Sequence, residues 1–196
     1  MTRVVLVRHG QTEWTMTHRH TGRTDIPLTE QGREEARNLG RRLSAFDFEL
    51  VMTSPALRTH ESASLAGLGA SAVANPDLWE WDYGKYEGVT TADTRKEIEG
   101  WSVWTHEIIG GESLQHVGER CDRVVQRIKR VAGDVAVFGH GHALRVLAAR
   151  WLGQEPGFGA RLVLSTASIS ILGYERETPA IILWNEVAAD VDGAET

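Results

Sequence analysis

A chain of 196 residues, 41% hydrophobic and 24% charged, has the composition of an ordinary globular protein and a length suited to one domain. Its formal net charge of -6 argues against broad electrostatic binding of nucleic acid or of an acidic membrane surface. The single cysteine, Cys121, rules out a disulfide within this sequence and fits a reducing compartment.

The first apolar run, Val4 to Val7, is short and rich in valine, the pattern of a buried strand. It is too short for a secretory h-region or a spanning helix, and no later run is long enough to cross a bilayer. The expectation is a soluble, cytoplasmic protein with no membrane partner. Thr29 is placed to cap a helix bearing the apolar stripe Ala36, Leu39 and Leu43. Leu50 to Thr53 reads as a second strand. Ser54-Pro55 reads as the start of the next helix, with proline at its first position. Residues 75–111, rich in Trp, Tyr and Gly, form an irregular excursion of the kind that carries function.

Ser113 can cap a long helix whose apolar positions are Leu114, Val117, Cys121, Val124, Ile128 and Val131. Val135 to Phe138 is a third strand. A helix then follows His142, carries Leu144, Leu147, Ala148 and Trp151, and stops at Gly153. Ser168 to Tyr174 and Ala180 to Trp184 are two further strands flanking a turn at residues 175–179. The small, acidic stretch 188–196 reads as a flexible, solvated tail. This alternation predicts an α/β fold, a three-layer α/β/α arrangement on a mostly parallel open sheet, in a single domain over residues 1–196.

In such a sheet, ligands bind beyond the carboxyl ends of the strands. The first strand runs into Arg8-His9-Gly10. The second runs into Ser54-Pro55 and the helix bearing Arg58. The third runs into Gly139-His140-Gly141-His142. Parallel strands would bring two histidines and two arginines to one edge, with Arg58 in the first turn of its helix, where the dipole favours an anion. These residue types suit phosphoryl transfer. A neutral imidazole can attack phosphorus, and guanidinium groups match phosphate geometry. A second histidine can stabilise the transition state. A carboxylic acid must protonate the leaving oxygen, and Glu80 in the excursion is the candidate. Taken singly, each has a plainer role: a strand-end histidine is usually structural, and a helix arginine is usually solvated. Their coincidence at successive strand ends points to chemistry.

Arg8-His9-Gly10-Gln11-Thr12-Glu13-Trp14 resembles the signature of the histidine phosphatase superfamily, the phosphoglycerate mutase-like fold. The resemblance continues through Thr21-Gly22 with Asp25, Leu28 to Gly32, Thr53 to Arg58, Glu80 with Gly84 and Glu87-Gly88, Gly111-Glu112-Ser113 and Gly139-His140-Gly141. It implies that His9 is phosphorylated, that Arg8, Arg58 and His140 complete the phosphate pocket, and that Glu80 is the general acid and base. It also places Thr15, His20, Thr21, Gly22 and Tyr83 among the substrate contacts. Thr15 stands where many members carry Asn; its hydroxyl can still donate. The text Glu80 to Gly88, with His140 to Arg145, resembles a branch of sugar-phosphate and broad-specificity acid phosphatases, including the sedoheptulose-1,7-bisphosphatase type. In that branch Arg145 would reach a second phosphate or a sugar hydroxyl. The residues alone leave it equally a surface arginine.

The resemblance thus implies a metal-independent phosphomonoesterase for small phosphorylated metabolites, with sugar phosphates foremost and no cofactor. Three alternatives stay open: a cofactor-dependent phosphoglycerate mutase, a catalytically silent module, and a zinc site using His9, His140 and His142. Arg8 and Arg58 weigh against the zinc site by repelling a cation. Trp79, Trp81, Trp101 and Trp104 either wall the site or pack the excursion onto the sheet. Edge strands and exposed helices in this architecture permit a homodimer.

Overall fold

Four apolar residues in a row, Val4 to Val7, bury completely because both faces of the sheet they enter are covered. They form β1 (Val4–Arg8). A four-residue helix, α1 (Glu13–Met16), and the longer α2 (Glu30–Leu43) follow, then β2 (Phe48–Thr53), α3 (Leu57–Leu65) and the short β3 (Ala72–Ala74). The excursion contains α4 (Thr91–Glu97). The chain continues with α5 (Leu114–Ile128), β4 (Asp134–Gly139), α6 (Gly141–Trp151), β5 (Ile169–Glu175) and β6 (Thr178–Glu186). The computed structural model describes residues 2–188, so the expected tail lies outside these residues apart from Ala188. No helix among the described residues is long and apolar enough to cross a membrane.

The six strands form one sheet in the order β3-β2-β4-β1-β5-β6. β3, β2, β4 and β1 run parallel, whereas β5 and β6 add an antiparallel hairpin at one side. Side-chain alternation divides the core in two. Val4, Leu6, Val135 and Val137 meet α5, α6 and the buried rings of Trp81 and Trp101. Val5, Val7, Ala136 and Phe138 meet Leu39 and Leu43 of α2 and Ala63 of α3. Helices on both faces of a mixed sheet give the three-layer α/β fold expected from the sequence. Cys121 sits inside this packing, where burial pushes its thiol up to about 12.

Register brings the chemistry-bearing strand ends level. Arg8 pairs with Gly139, and Thr53 with Phe138. The alignment persists one residue further: His9 N–H donates to Gly139 at 3.1 Å and Ser54 N–H to Phe138 at 3.0 Å.

Several boundaries differ from the expected ones. The helix after β2 begins at Leu57 rather than at Pro55, because Ala56 is extended and Asp25, from a distant loop, accepts the Leu57 N–H at 2.8 Å. Ser54 instead faces His140, their Oγ and Nε2 atoms 2.8 Å apart. α6 begins at Gly141, before His142 rather than after it, because Glu80 takes up the free N–H groups of its first turn. β3 and α1 are short elements that carry no long apolar period.

The loop carrying His9 is fixed by a backbone contact that only glycines permit. A Cβ at Gly10 would lie 2.3 Å from the Gly32 carbonyl oxygen, and one at Gly32 would lie 2.1 Å from that of Gln11. Gly32 stands in the first turn of α2, so the helix end presses directly on the loop. The Gly32→Ala variant is expected to lose at least about 1–3 kcal/mol of stability in urea denaturation. The Gly157→Ala control, whose nearest contact would be an ordinary 3.7 Å to Leu114, should change it by no more than about 0.5 kcal/mol.

Candidate active site

His9 follows β1 and is 3% exposed. Its Nδ1 lies 2.8 Å from the Gly10 carbonyl oxygen. Only a protonated Nδ1 satisfies that oxygen, so the neutral ring keeps its lone pair on Nε2. Burial, with Arg58 and Arg8 nearby, holds the imidazole well below its ordinary pKa. His140, the N-cap residue of α6, packs edge-on against it with ring centroids 5.3 Å apart. Burial, Arg58 and His9 lower its pKa strongly as well.

Neither flanking arginine is neutralised by a bonded carboxylate. Arg58, fully buried in the first turn of α3, donates to the carbonyl oxygens of Thr24 at 3.0 Å, Thr21 at 3.1 Å and Gly22 at 3.0 Å. Arg8 donates to the Leu164 carbonyl. Four buried side-chain polar atoms among the described residues lack a partner, and three belong to this cluster: Arg8 Nε, Arg58 Nε and His140 Nδ1. An unpartnered buried donor costs about 1–3 kcal/mol, so the two guanidinium Nε–H groups gathered here point to an anion.

Glu80 is 5% exposed and sits at the N-terminus of α6. Its carboxylate accepts the N–H groups of His142 at 3.0 Å, Ala143 at 2.8 Å and Trp81 at 2.9 Å. The segment around it is clamped from α5. Arg120, 3% exposed, donates to the carbonyls of Asp77 at 2.9 Å and Trp79 at 2.6 Å, and to both oxygens of Glu112 at 3.0 and 3.2 Å. Glu112 in turn accepts Asp82 N–H at 3.1 Å, and its carbonyl accepts Trp81 Nε1–H at 2.8 Å.

His9 and Glu80 both line a cavity of about 290 Å³, together with Arg8, Thr15, His20, Thr21, Tyr83 and Arg145. Three arginines, Arg8, Arg19 and Arg145, face one carboxylate, Glu80, so an acidic protein carries a cationic pocket. Arg145 is no free surface residue. Its guanidinium lies 4.6 Å from the Trp104 ring centre and donates to the carbonyls of Gly159 and Ala160.

Some expected contacts are placed differently. Gly22 does not line the cavity; its N–H is committed to Glu87 and its carbonyl to Arg58. Thr15 does line it, but its hydroxyl accepts the Thr12 N–H in a capping box and donates to the Thr12 carbonyl. Arg58 and His140 lie outside the open lining. Of the tryptophans, Trp81 and Trp101 are core residues, Trp79 stacks under Arg23 at 5.0 Å, and Trp104 walls the cavity. Sequence reasoning named none of Arg19, Thr91, Ser102 and Leu164 as lining residues, left Trp104 between walling the site and packing the excursion, and weighed His142 only as a zinc ligand. The Arg19-His20 pair next to the expected contact Thr21 was the one usable signal.

The family profile described as histidine phosphatase superfamily (branch 1) matches residues 4–187. The chain is 40% identical over 177 residues to an acid phosphatase of Mycobacterium tuberculosis, covering 88% of this chain and 87% of that protein. It is 34% identical over 183 residues to sedoheptulose 1,7-bisphosphatase of Saccharomyces cerevisiae, covering 77% and 68%. A 2,3-bisphosphoglycerate-dependent phosphoglycerate mutase of Mesorhizobium japonicum is 35% identical over 181 residues, with 83% and 87% covered. The solved structure of an open reading frame from Mycobacterium tuberculosis superposes with a TM-score of 0.91 at 37% identity, covering 95% of this chain and 98% of that one.

Two measurements test this geometry. His9, His140 and His142 have pKa values below the ordinary 6.5. As pH falls through that value the unfolded chain takes up protons that the folded one refuses, so stability should decline below it. Ring NMR of the free protein should show His9 still neutral at that pH; a midpoint at or above it would contradict the buried, neutral imidazole. Separately, Arg120→Ala strands Glu112 in the interior and should cost about 3–5 kcal/mol in urea denaturation. Arg123→Ala, which breaks an exposed pair with Asp77, should cost about 1 kcal/mol or less.

Proposed function

The chain belongs to the histidine phosphatase superfamily, and from that premise we propose that it is a metal-independent phosphomonoesterase for small phosphorylated metabolites, sugar phosphates foremost, working through a phosphohistidine on His9. The observation that carries this reading is the neutral, Nδ1-anchored His9 between two guanidinium groups that hold unpartnered Nε atoms.

The geometry supports two displacements at phosphorus. In the first, the Nε2 lone pair of His9 forms the N–P bond as the bond from phosphorus to the ester oxygen breaks. Glu80 delivers a proton to that oxygen and the alcohol leaves. Arg8, Arg58 and His140 stabilise the charge on the remaining phosphoryl oxygens, and because they are already fixed they pay little reorganisation during the step. In the second, water attacks phosphorus, Glu80 takes its proton, the N–P bond breaks, and inorganic phosphate leaves with His9 neutral again. Glu80 serves both steps because the two N–H groups of α6 and the Arg120 clamp hold it at the cavity wall. The remaining lining groups, His20, Thr21, Tyr83 and Arg145, face the alcohol part of the substrate. A cytoplasmic setting fits the single buried thiol.

Phosphoglycerate mutases among the relatives make phosphoryl transfer to a second alcohol the rival reading. One assay set separates them. Sugar phosphates should release inorganic phosphate at the same rate with and without EDTA, and 3-phosphoglycerate should not become 2-phosphoglycerate. His9→Ala should lower turnover by at least about a thousandfold with circular dichroism unchanged. Glu80→Gln should lower it about 10²–10⁴-fold. Hydrolysis by His9→Ala at the parent rate would refute the reading.

A further inference from the structure

His142 stands in the second position of α6, directly beside the general acid, since its N–H is bonded to Glu80. Its side chain lines the cavity and serves no step written above. Its Nδ1 lies 2.6 Å from the Tyr83 hydroxyl. Tyr83 is 1% exposed and packed against His20, with ring centroids 4.9 Å apart, and against Trp81. No other hydrogen-bond partner of this hydroxyl is found among the described residues.

A buried phenol keeps its proton and must give it to an acceptor. The acceptor in reach is His142 Nδ1, so that nitrogen presents its lone pair and the ring proton resides on Nε2. Burial and the nearby Glu80 charge, which raise the Tyr83 pKa, and burial and Arg145, which lower that of His142, agree with a neutral pair. Nε2 makes no hydrogen bond to the described residues and is not among their buried unpartnered atoms, so it is open to the cavity. Trp104, at 5.1 Å between centroids, and Arg145, stacked on Trp104, stand beside it.

We propose that His142 is a specificity-determining residue: a neutral imidazole, its proton held on Nε2 by Tyr83, that donates a hydrogen bond to an uncharged oxygen of the leaving alcohol. Its place beside Glu80, the group that would protonate the leaving oxygen, sets it on the leaving-group side of the cavity. An uncharged donor adds no charge to a cavity that three arginines already line, but it distinguishes a hydroxyl or ether oxygen from bare hydrocarbon. The substrate class it selects is a polyol or sugar phosphate over an aryl phosphate. This inference rests on the phosphomonoesterase reading.

The test compares kcat/KM for a sugar phosphate and for p-nitrophenyl phosphate in the parent protein and three variants. His142→Phe keeps the ring and its packing but removes both nitrogens; the sugar-to-aryl ratio should fall about tenfold or more. His142→Gln carries an N–H donor of similar reach and should recover most of the ratio. Tyr83→Phe keeps the buried ring, frees the imidazole proton, and should lower the ratio to an intermediate value. Long-range proton–nitrogen NMR should report the Nε2–H tautomer in the parent protein and a mixture in Tyr83→Phe. A protonated Nδ1 in the parent protein, or an unchanged ratio in His142→Phe with hydrolysis intact, would overturn this inference alone. A parent protein that hydrolyses no phosphomonoester would overturn the phosphatase reading and this inference with it.

Discussion

The site depends on holding arginines in the interior without cancelling them. Arg8, Arg58 and Arg145 are each secured by backbone carbonyl oxygens, at Leu164, at Thr21, Gly22 and Thr24, and at Gly159 and Ala160. Carbonyl dipoles orient a guanidinium and offset part of its desolvation, yet leave its full charge available to a ligand. A carboxylate partner would have spent that charge within the protein. Arg120 shows the contrast: it is bonded to Glu112 and acts as a peg for the chain rather than as a charge for substrate. The same fold therefore uses arginine in two ways, and the partner decides which.

This arrangement explains why the excursion cannot be a loose lid. Thr21 to Thr24 supply carbonyls to Arg58, while Glu87 accepts the N–H groups of Gly22 and Thr24. The loop after α1, the excursion and α3 thereby depend on one another. Glu80 joins the excursion to α6 by capping it, so the carboxylate proposed as the general acid also completes a helix end. The helix end and the Arg120 clamp on the Asp77 and Trp79 carbonyls together hold this carboxylate in place.

Much of this was legible in the sequence, for identifiable reasons. β1, β2 and β4 are buried on both faces, so their apolar runs stand out, and parallel pairing then forces Arg8-His9, Ser54 and His140 to one edge. Glu80 is a candidate because the chemistry needs a carboxylic acid, and the family resemblance implies the same role; no periodicity marks residues 75–111. Other features were written in no local signal. The start of α3 at Leu57 depends on Asp25, far away in the chain. Gly22 reads as a substrate contact, yet both its backbone groups serve the protein. Ser102 and Leu164 reach the cavity from different loops, and only tertiary packing brings them together. β3, three residues long and partly exposed, has too few side chains to show alternation.

The pressed contact between Gly10 and Gly32 has a consequence for how activity is lost. The loop after β1 is held from several sides: Gly10 N–H donates to Ser62 of α3, Gln11 N–H donates to Glu35 of α2, and the first turn of α2 presses on Gly10 at a separation that leaves no room for a methyl group. A fluctuation that lifts the start of α2 removes one of these supports, next to the Gly10 carbonyl that sets the His9 tautomer. Catalytic competence is then tied to local opening at this helix end, an event that requires far less free energy than global unfolding. Gradual warming should silence the catalyst while the sheet beneath it is still intact.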